Sequence, residues 1–144
     1  MGWGNLKLSA GFLGGLILSA CASAPVEEAA SPLAMCQALS ADDAGLAERL
    51  SSDGATADDF CACFVTVQAG LDDAQRTETF ALMTKIIALR DGTDQTTEDI
   101  AELMEDDRDG AQYGFPEERF KYAAQPIEDS MTKARRDRAS CVAP

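Results

Sequence analysis

Residues 56–71, TADDFCACFVTVQAGL, decide how the rest of the chain is read. Thr56 can accept a hydrogen bond from an orphan N–H of a first helical turn, and Asp58 and Asp59 complement the positive end of that helix. Phe60, Phe64, Val67 and Leu71 follow at helical spacing. With Val65 and two cysteines they make residues 60–67 apolar nearly all round, which predicts the central buried helix; their aromatic and β-branched content is also compatible with a strand. If 57–70 is helical, Cys61 and Cys63 point about 200° apart. They cannot bridge each other, so each must reach a different partner.

The same punctuation recurs on both sides. Ser31-Pro32, Ser40-Ala-Asp-Asp43 and Thr96-Thr-Glu-Asp99 read as further helix starts, the last two by a hydroxyl with acids behind it, the first by a proline suited to a first turn. Capping physics is enough to explain the recurrence without an internal repeat. From Asp72 to Arg90 the residues Phe80, Leu82, Met83, Ile86, Ile87 and Leu89 form a broad apolar face, and Gly92 is a stop signal beyond it. Residues 97–106 offer a narrow stripe of Ile100, Leu103 and Met104. From Pro116 to about Ser140 the face Phe120, Ala124, Ile127, Met131 and Ala134 runs through Pro126, which clashes with the Tyr122 carbonyl and predicts a kink or break. No β-hairpin signal interrupts these patterns. The expectation is an all-α domain over 32–144, a small disulfide-stapled bundle of about five helices.

Composition narrows the chemistry. The chain has 144 residues, a formal net charge of −13, five cysteines and no histidine. Without imidazole there is no Ser-His-Asp or Cys-His unit and no His metal ligand. A sequence pI near 4.2 argues against nucleic acid, whose affinity comes largely from Lys and Arg displacing counterions. Among 25 acidic residues no carboxylate pair is singled out by its surroundings, so no catalytic residue is assigned. No cofactor and no metal ligand set is expected.

At the N-terminus, Lys7 precedes an uncharged stretch from Leu8 to Ala20. This is the layout of a secretory signal, and an apolar run of about 13 residues is too short to span a bilayer. Met1-Gly2 is not a myristoylation signal, because position 6 is Leu rather than Ser or Thr. The stretch closes on Leu18-Ser19-Ala20-Cys21, which resembles the lipobox of bacterial lipoproteins: an aliphatic residue, two small ones, then cysteine. The resemblance covers the first 21 residues or so. It implies that residues 1–20 are a signal peptide, that the Cys21 thiol carries diacylglycerol, and that the new amino group is acylated. One acyl chain at about 0.8 kcal/mol per methylene binds marginally, whereas two or more hold stably.

Ala22 and Ser23 replace the Asp that retains enterobacterial members in the inner membrane, so the resemblance favours a lipid-anchored protein on the periplasmic face of the outer membrane. Residues 21–31 then form the lipidated cysteine and a flexible tether, whose ten residues from Ala22 to Ser31 reach about 33 Å when extended. Removing residues 1–20 leaves 11 basic against 25 acidic residues, a net charge of −14. Such a body is repelled by anionic lipid, so attachment falls to the acyl chains.

Cys36, Cys61, Cys63 and Cys141 remain, an even number suited to two disulfides in an oxidising compartment. One of Cys61 and Cys63 is expected to bond Cys36 and the other Cys141, with the choice open. Closing the shorter loop is worth about 3 kcal/mol in the chain-entropy model, and the loop to Cys141 somewhat more. A redox role for Cys61-Ala-Cys63 lacks a basic neighbour, since Asp58 and Asp59 raise a thiol pKa. A four-thiolate zinc site lacks the usual two-residue spacer.

Three surface features invite function. Glu105, Asp107 and Asp109 fall at the first, third and fifth positions of a calcium loop whose glycine is Gly110, but the twelfth is Pro116 rather than Glu. Lys133, Arg135, Arg136 and Arg138 could dock an anionic envelope component, or simply complement a helix C-terminus. Tyr113-Gly-Phe-Pro116 is an aromatic bend, a contact surface or a packed loop. Together these readings favour a non-enzymatic bacterial envelope lipoprotein whose periplasm-facing helical domain serves protein–protein interaction or envelope structure. Its partners would be the membrane, through lipid, and an envelope protein. The alternative is a metal-binding (calcium) or thiol-redox module.

Overall fold

Helix starts are set by side chains that satisfy the first free N–H groups. The computed structural model describes residues 30–141, so Cys21 and the signal-like stretch lie outside the described residues. Six α-helices appear: α1 (Pro32–Ser40), α2 (Ala44–Ser51), α3 (Ala57–Ala69), α4 (Asp73–Arg90), α5 (Thr97–Asp106) and α6 (Glu117–Arg136), followed by a 3-10 turn at Arg138–Cys141. The described residues are all-α and disulfide-stapled, in line with the expected bundle of about five helices.

Thr56 and Thr96 each head a reciprocal capping box: the hydroxyl accepts from the N–H three residues on, and that residue's carboxylate accepts from the threonine N–H. Ser31 caps α1 through the Ala34 N–H, and Asp72 caps α4 through the Gln75 N–H. The assignment of Ser40 as the cap of the second helix is corrected. Its hydroxyl donates back to the Cys36 carbonyl at the end of α1, and Asp43 caps α2 instead, accepting from the Leu46 N–H at 2.9 Å. A carboxylate three residues nearer the first apolar position wins because serine can equally well satisfy the preceding turn.

α3 is the hub, packed against α1, α2, α6 and the 3-10 turn, while α4 packs on α6, α1 and α5. Phe60 and Phe64 are fully buried, and Phe64 stacks on Phe80 of α4 with ring centroids 6.4 Å apart. Each such side chain contributes about 2–3 kcal/mol by leaving water. Burial of α3 is not all round, however: Val65 is 38% exposed and Val67 half-buried, while Gln68 is buried. Leu82, Met83 and Ile86 of α4 lie in the core, with Phe80, Ile87 and Leu89 at its edge. In α5 the stripe narrows to Ile100 and Met104, since Leu103 faces solvent.

Cys36 bonds Cys61, joining α1 to α3, and Cys63 bonds Cys141, joining α3 to the 3-10 turn. The open pairing is thereby resolved. Thr66 of α3 also donates to the Cys141 carbonyl at 3.2 Å, so the terminal turn is held by covalent and polar contacts together.

Pro126 does not break α6, which runs from Glu117 to Arg136 with the proline ring buried inside it. The Tyr122 carbonyl that loses its helical partner accepts from Gln75 Nε2 of α4 at 3.5 Å. The face that α6 sends into the core is Phe120, Ala123, Ile127, Ser130 and Ala134. Ala124 and Met131, which the sequence pattern put on the same face, are left part-exposed at its edge.

Candidate functional site

The features singled out from the sequence are drawn into the fold itself. Around Glu105-Asp106-Asp107-Arg108-Asp109-Gly110, Asp107 accepts from the N–H groups of Gln112 and Tyr113 at 2.9 and 2.8 Å, and Asp109 accepts from the Ala111 N–H. Gly110 has φ +70, and a Cβ there would meet the Pro116 nitrogen at 2.5 Å, so glycine is required for the chain to turn back on itself. No group of three or more Cys, Asp or Glu is placed to hold a metal ion among the described residues.

Tyr113-Gly-Phe-Pro116 is the other side of this turn. Phe115 is buried, and the Arg119 guanidinium lies over its ring at 4.3 Å while donating to the Gly114 carbonyl and to Glu78. This arrangement is a packed loop clamped by a cation–π contact. The basic cluster divides in two. Arg135 pairs with Asp53, and Arg138 with Asp59 and the Gly54 carbonyl, fastening the end of α6 and the 3-10 turn to the α2–α3 region. Lys133 and Arg136 have no ion-pair partner among the described residues.

Cys61 and Cys63 are both disulfide-bonded and buried. The hydrogen bond from the Thr56 hydroxyl, with the Thr56 N–H behind it, holds the nearby Asp59 carboxyl below its ordinary pKa. Hydrogen bonds from the Thr96 N–H and hydroxyl do the same for Asp99.

Asp43 and Arg90, which the sequence did not single out as a pair, form a buried polar latch. Asp43 Oδ1 caps α2, and Oδ2 accepts from the Thr97 N–H at 2.8 Å with Arg90 Nη1 at 3.5 Å. Arg90 also donates to the Leu39 and Ala41 carbonyls and to the Thr97 hydroxyl. One ion pair therefore joins the end of α1, the start of α2, the end of α4 and the start of α5. Gly45 permits this meeting, since a Cβ there would come within 2.9 Å of Thr96 Cγ2. Burial pushes the Asp43 carboxyl up, but the Thr97 hydroxyl, the Leu46 and Thr97 N–H groups and Arg90 outweigh it and hold the pKa below the usual value. The signal in the sequence was weak, because four helix ends 39 to 97 residues along the chain have to converge before the pair has meaning.

Two of the cavities among the described residues bear on function. One, of about 860 Å³, lies between α1, α4 and the α4–α5 loop, lined by Ala34, Ala38, Ile87 and Ala88. The other, of about 510 Å³, is a groove between α5 and α6. Its floor is Leu82 and Ile86 of α4 with Phe120 and Ile127 of α6. Ala101 of α5 and Ala124 of α6 line it where longer side chains would fill it. Arg49 of α2, paired with Glu98, stands at one end and reaches Met131 Sδ at 3.9 Å. The remaining charges on its rim are carboxylates: Glu102, Glu105 and Glu128, all exposed. None of the three has an ion-pair partner among the described residues.

No helix of the described residues is long and apolar enough to cross a membrane. No protein-family model, curated protein or solved structure matches the chain.

Proposed function

We propose that this chain is a non-enzymatic bacterial envelope lipoprotein, anchored through acylated Cys21 on the periplasmic face of the outer membrane, whose helical domain binds another protein. One observation carries the reading. The two disulfides use Cys36, Cys61, Cys63 and Cys141, so of five cysteines only Cys21, at the end of the lipobox-like stretch, is not consumed in stapling the domain. Disulfides of this kind belong to an oxidising compartment, in keeping with export. Acyl attachment also suits an acidic body, which anionic lipid does not attract.

Metabolic labelling with an alkyne fatty acid tests the anchor. The expected outcome is label on the wild-type chain, none on Cys21→Ser, and recovery of the labelled form with outer-membrane fractions on a density gradient. Label that survives Cys21→Ser, or an unlabelled chain in the soluble fraction, overturns the reading.

A further inference from the structure

The groove between α5 and α6 combines an apolar floor with a rim of one sign. Thr97, Glu98, Ala101, Glu102 and Glu105 of α5 line one wall, a run of about 12 Å at 1.5 Å per residue, and Phe120 to Met131 of α6 line the other over about 16 Å. That length matches two to three turns of an α-helix. Core packing does not account for its composition. The apolar face of α6 is wider than the core uses, which leaves Ala124 and Met131 beside Ala101 in the opening. Phe120, Ile127 and Leu46 are almost closed over, at 7, 8 and 7% exposure, so they offer a firm base for an inserted side chain.

Charge selects the occupant. Arg49 is occupied by Glu98, whereas Glu102 and Glu105 on one bank and Glu128 on the other are available. A second copy of this acidic chain would bring like charge against that rim. A helix with apolar anchors at i, i+3 or i+4, and i+7, flanked by Lys and Arg, satisfies both floor and rim.

We propose that this groove is the docking site for a cationic amphipathic helix of a partner protein, with an apolar side chain seated between Ala101 and Ala124 and basic residues ranged against Glu102, Glu105 and Glu128. This assignment rests on the reading that the helical domain is a protein-binding module, and it names the surface and the partner's chemistry. Two elements supply the recognition: alanines where the walls could have been closed, and carboxylates on both banks. The rim speeds encounter and orients the helix, while the seated side chain slows its escape.

The test uses the full chain in phosphatidylcholine nanodiscs and a fluorescein-labelled Leu/Lys peptide of about three helical turns, read by anisotropy against empty nanodiscs. A Leu/Glu peptide with the same apolar pattern and tetramethylammonium, as a small cationic competitor, complete the set. Expected is saturable binding of the Leu/Lys peptide alone, weakened about tenfold by Glu102→Gln, Glu105→Gln and Glu128→Gln together. It should be abolished by Ala124→Trp. Because that tryptophan could disturb packing, Ala101→Leu on the opposite wall provides a gentler plug and should weaken binding without lowering Tm.

The neutral triple Asp58→Asn, Glu118→Gln and Asp129→Asn, outside the groove, should leave affinity unchanged. Equal weakening by that control triple, binding insensitive to both plugs, or no binding at all overturns the assignment. Displacement of the peptide by the small cation at matched concentration also overturns it, because the groove would then select charge and not a helix. If Cys21 proves unlabelled, the same titration is run on the full chain free in buffer, so these outcomes are independent of the Cys21 labelling result.

Discussion

The two sides of the bundle are fastened by different means. α1, α3 and the terminal 3-10 turn are tied by Cys36–Cys61 and Cys63–Cys141, with Arg138 and Thr66 adding polar contacts across the same joints. α2 and α5 have no cross-link and hang on the Asp43–Arg90 latch, two capped helix starts and a modest apolar face. The groove opens on the second side. Covalent fastening tolerates a small core because it restricts the unfolded chain, whereas the latch acts only within the folded one. The groove proposed for a partner helix therefore lies on the side that carries no disulfide.

The largest expected effect comes from unfastening the first side. Replacing Cys63 and Cys141 together by Ser should cost about 4.5 kcal/mol in the chain-entropy model, against about 3.5 kcal/mol for Cys36 and Cys61, because the loops span 78 and 25 residues. Urea unfolding of the two double variants measures both, and the reverse ranking would break the comparison.

Next comes the latch. Arg90→Met leaves the Asp43 carboxylate buried without its ion partner and the Leu39 and Ala41 carbonyls without their donor, and should cost about 3 kcal/mol. The latch should also show in pH dependence. Asp43 has a lowered folded pKa, so its contribution is complete above the unfolded value near 4 and is lost as pH falls through the folded value. The difference in stability between wild type and Asp43→Asn, followed by thermal melts, should therefore shrink below about pH 4 and be constant above pH 5.

A smaller effect of opposite sign belongs to the stapled side. Neither amide atom of buried Gln68 has a hydrogen-bond partner among the described residues. Gln68→Met keeps the length and removes the unpaired polar atoms, and should raise stability by about 1 kcal/mol; a lower Tm would show that the amide is satisfied in solution.

The finest discrimination uses matched caps. Thr56→Ala and Thr96→Ala remove equivalent capping boxes from α3 and α5, each worth about 1 kcal/mol. If the two sides unfold separately, native-state hydrogen exchange should quicken in α5 for the second variant and stay unchanged in α3. Uniform acceleration throughout would mean a single cooperative unit.

Much of the architecture was legible in local chemistry. The caps at Ser31, Thr56 and Thr96, the stop near Gly92, the α4 face and the division of Cys61 from Cys63 all depend on spacing within a few residues. What escaped depends on distant neighbours. Ser40 could cap or back-bond, and only the approach of Thr97 to Asp43 decides between them. Pro126 is tolerated because Gln75, 51 positions earlier, takes the carbonyl it releases. The groove is a surplus, visible only when the apolar faces of α5 and α6 are set against the volume the core fills.

The placement of Cys61 and Cys63, one residue apart, gives the covalent chain the shape of a figure of eight, with rings over 36–61 and 63–141 meeting at Ala62. The rings neither overlap nor enclose one another, so either can close while the other is open. For a chain delivered N-terminus first into an oxidising space, the small ring has both of its sulfurs in hand when little more than α3 has emerged. The large ring waits for Cys141, 78 residues further on. Cys63 spends that interval as a nucleophile beside a newly formed disulfide, so the interval sets the opportunity for Cys36 to be exchanged onto the wrong sulfur.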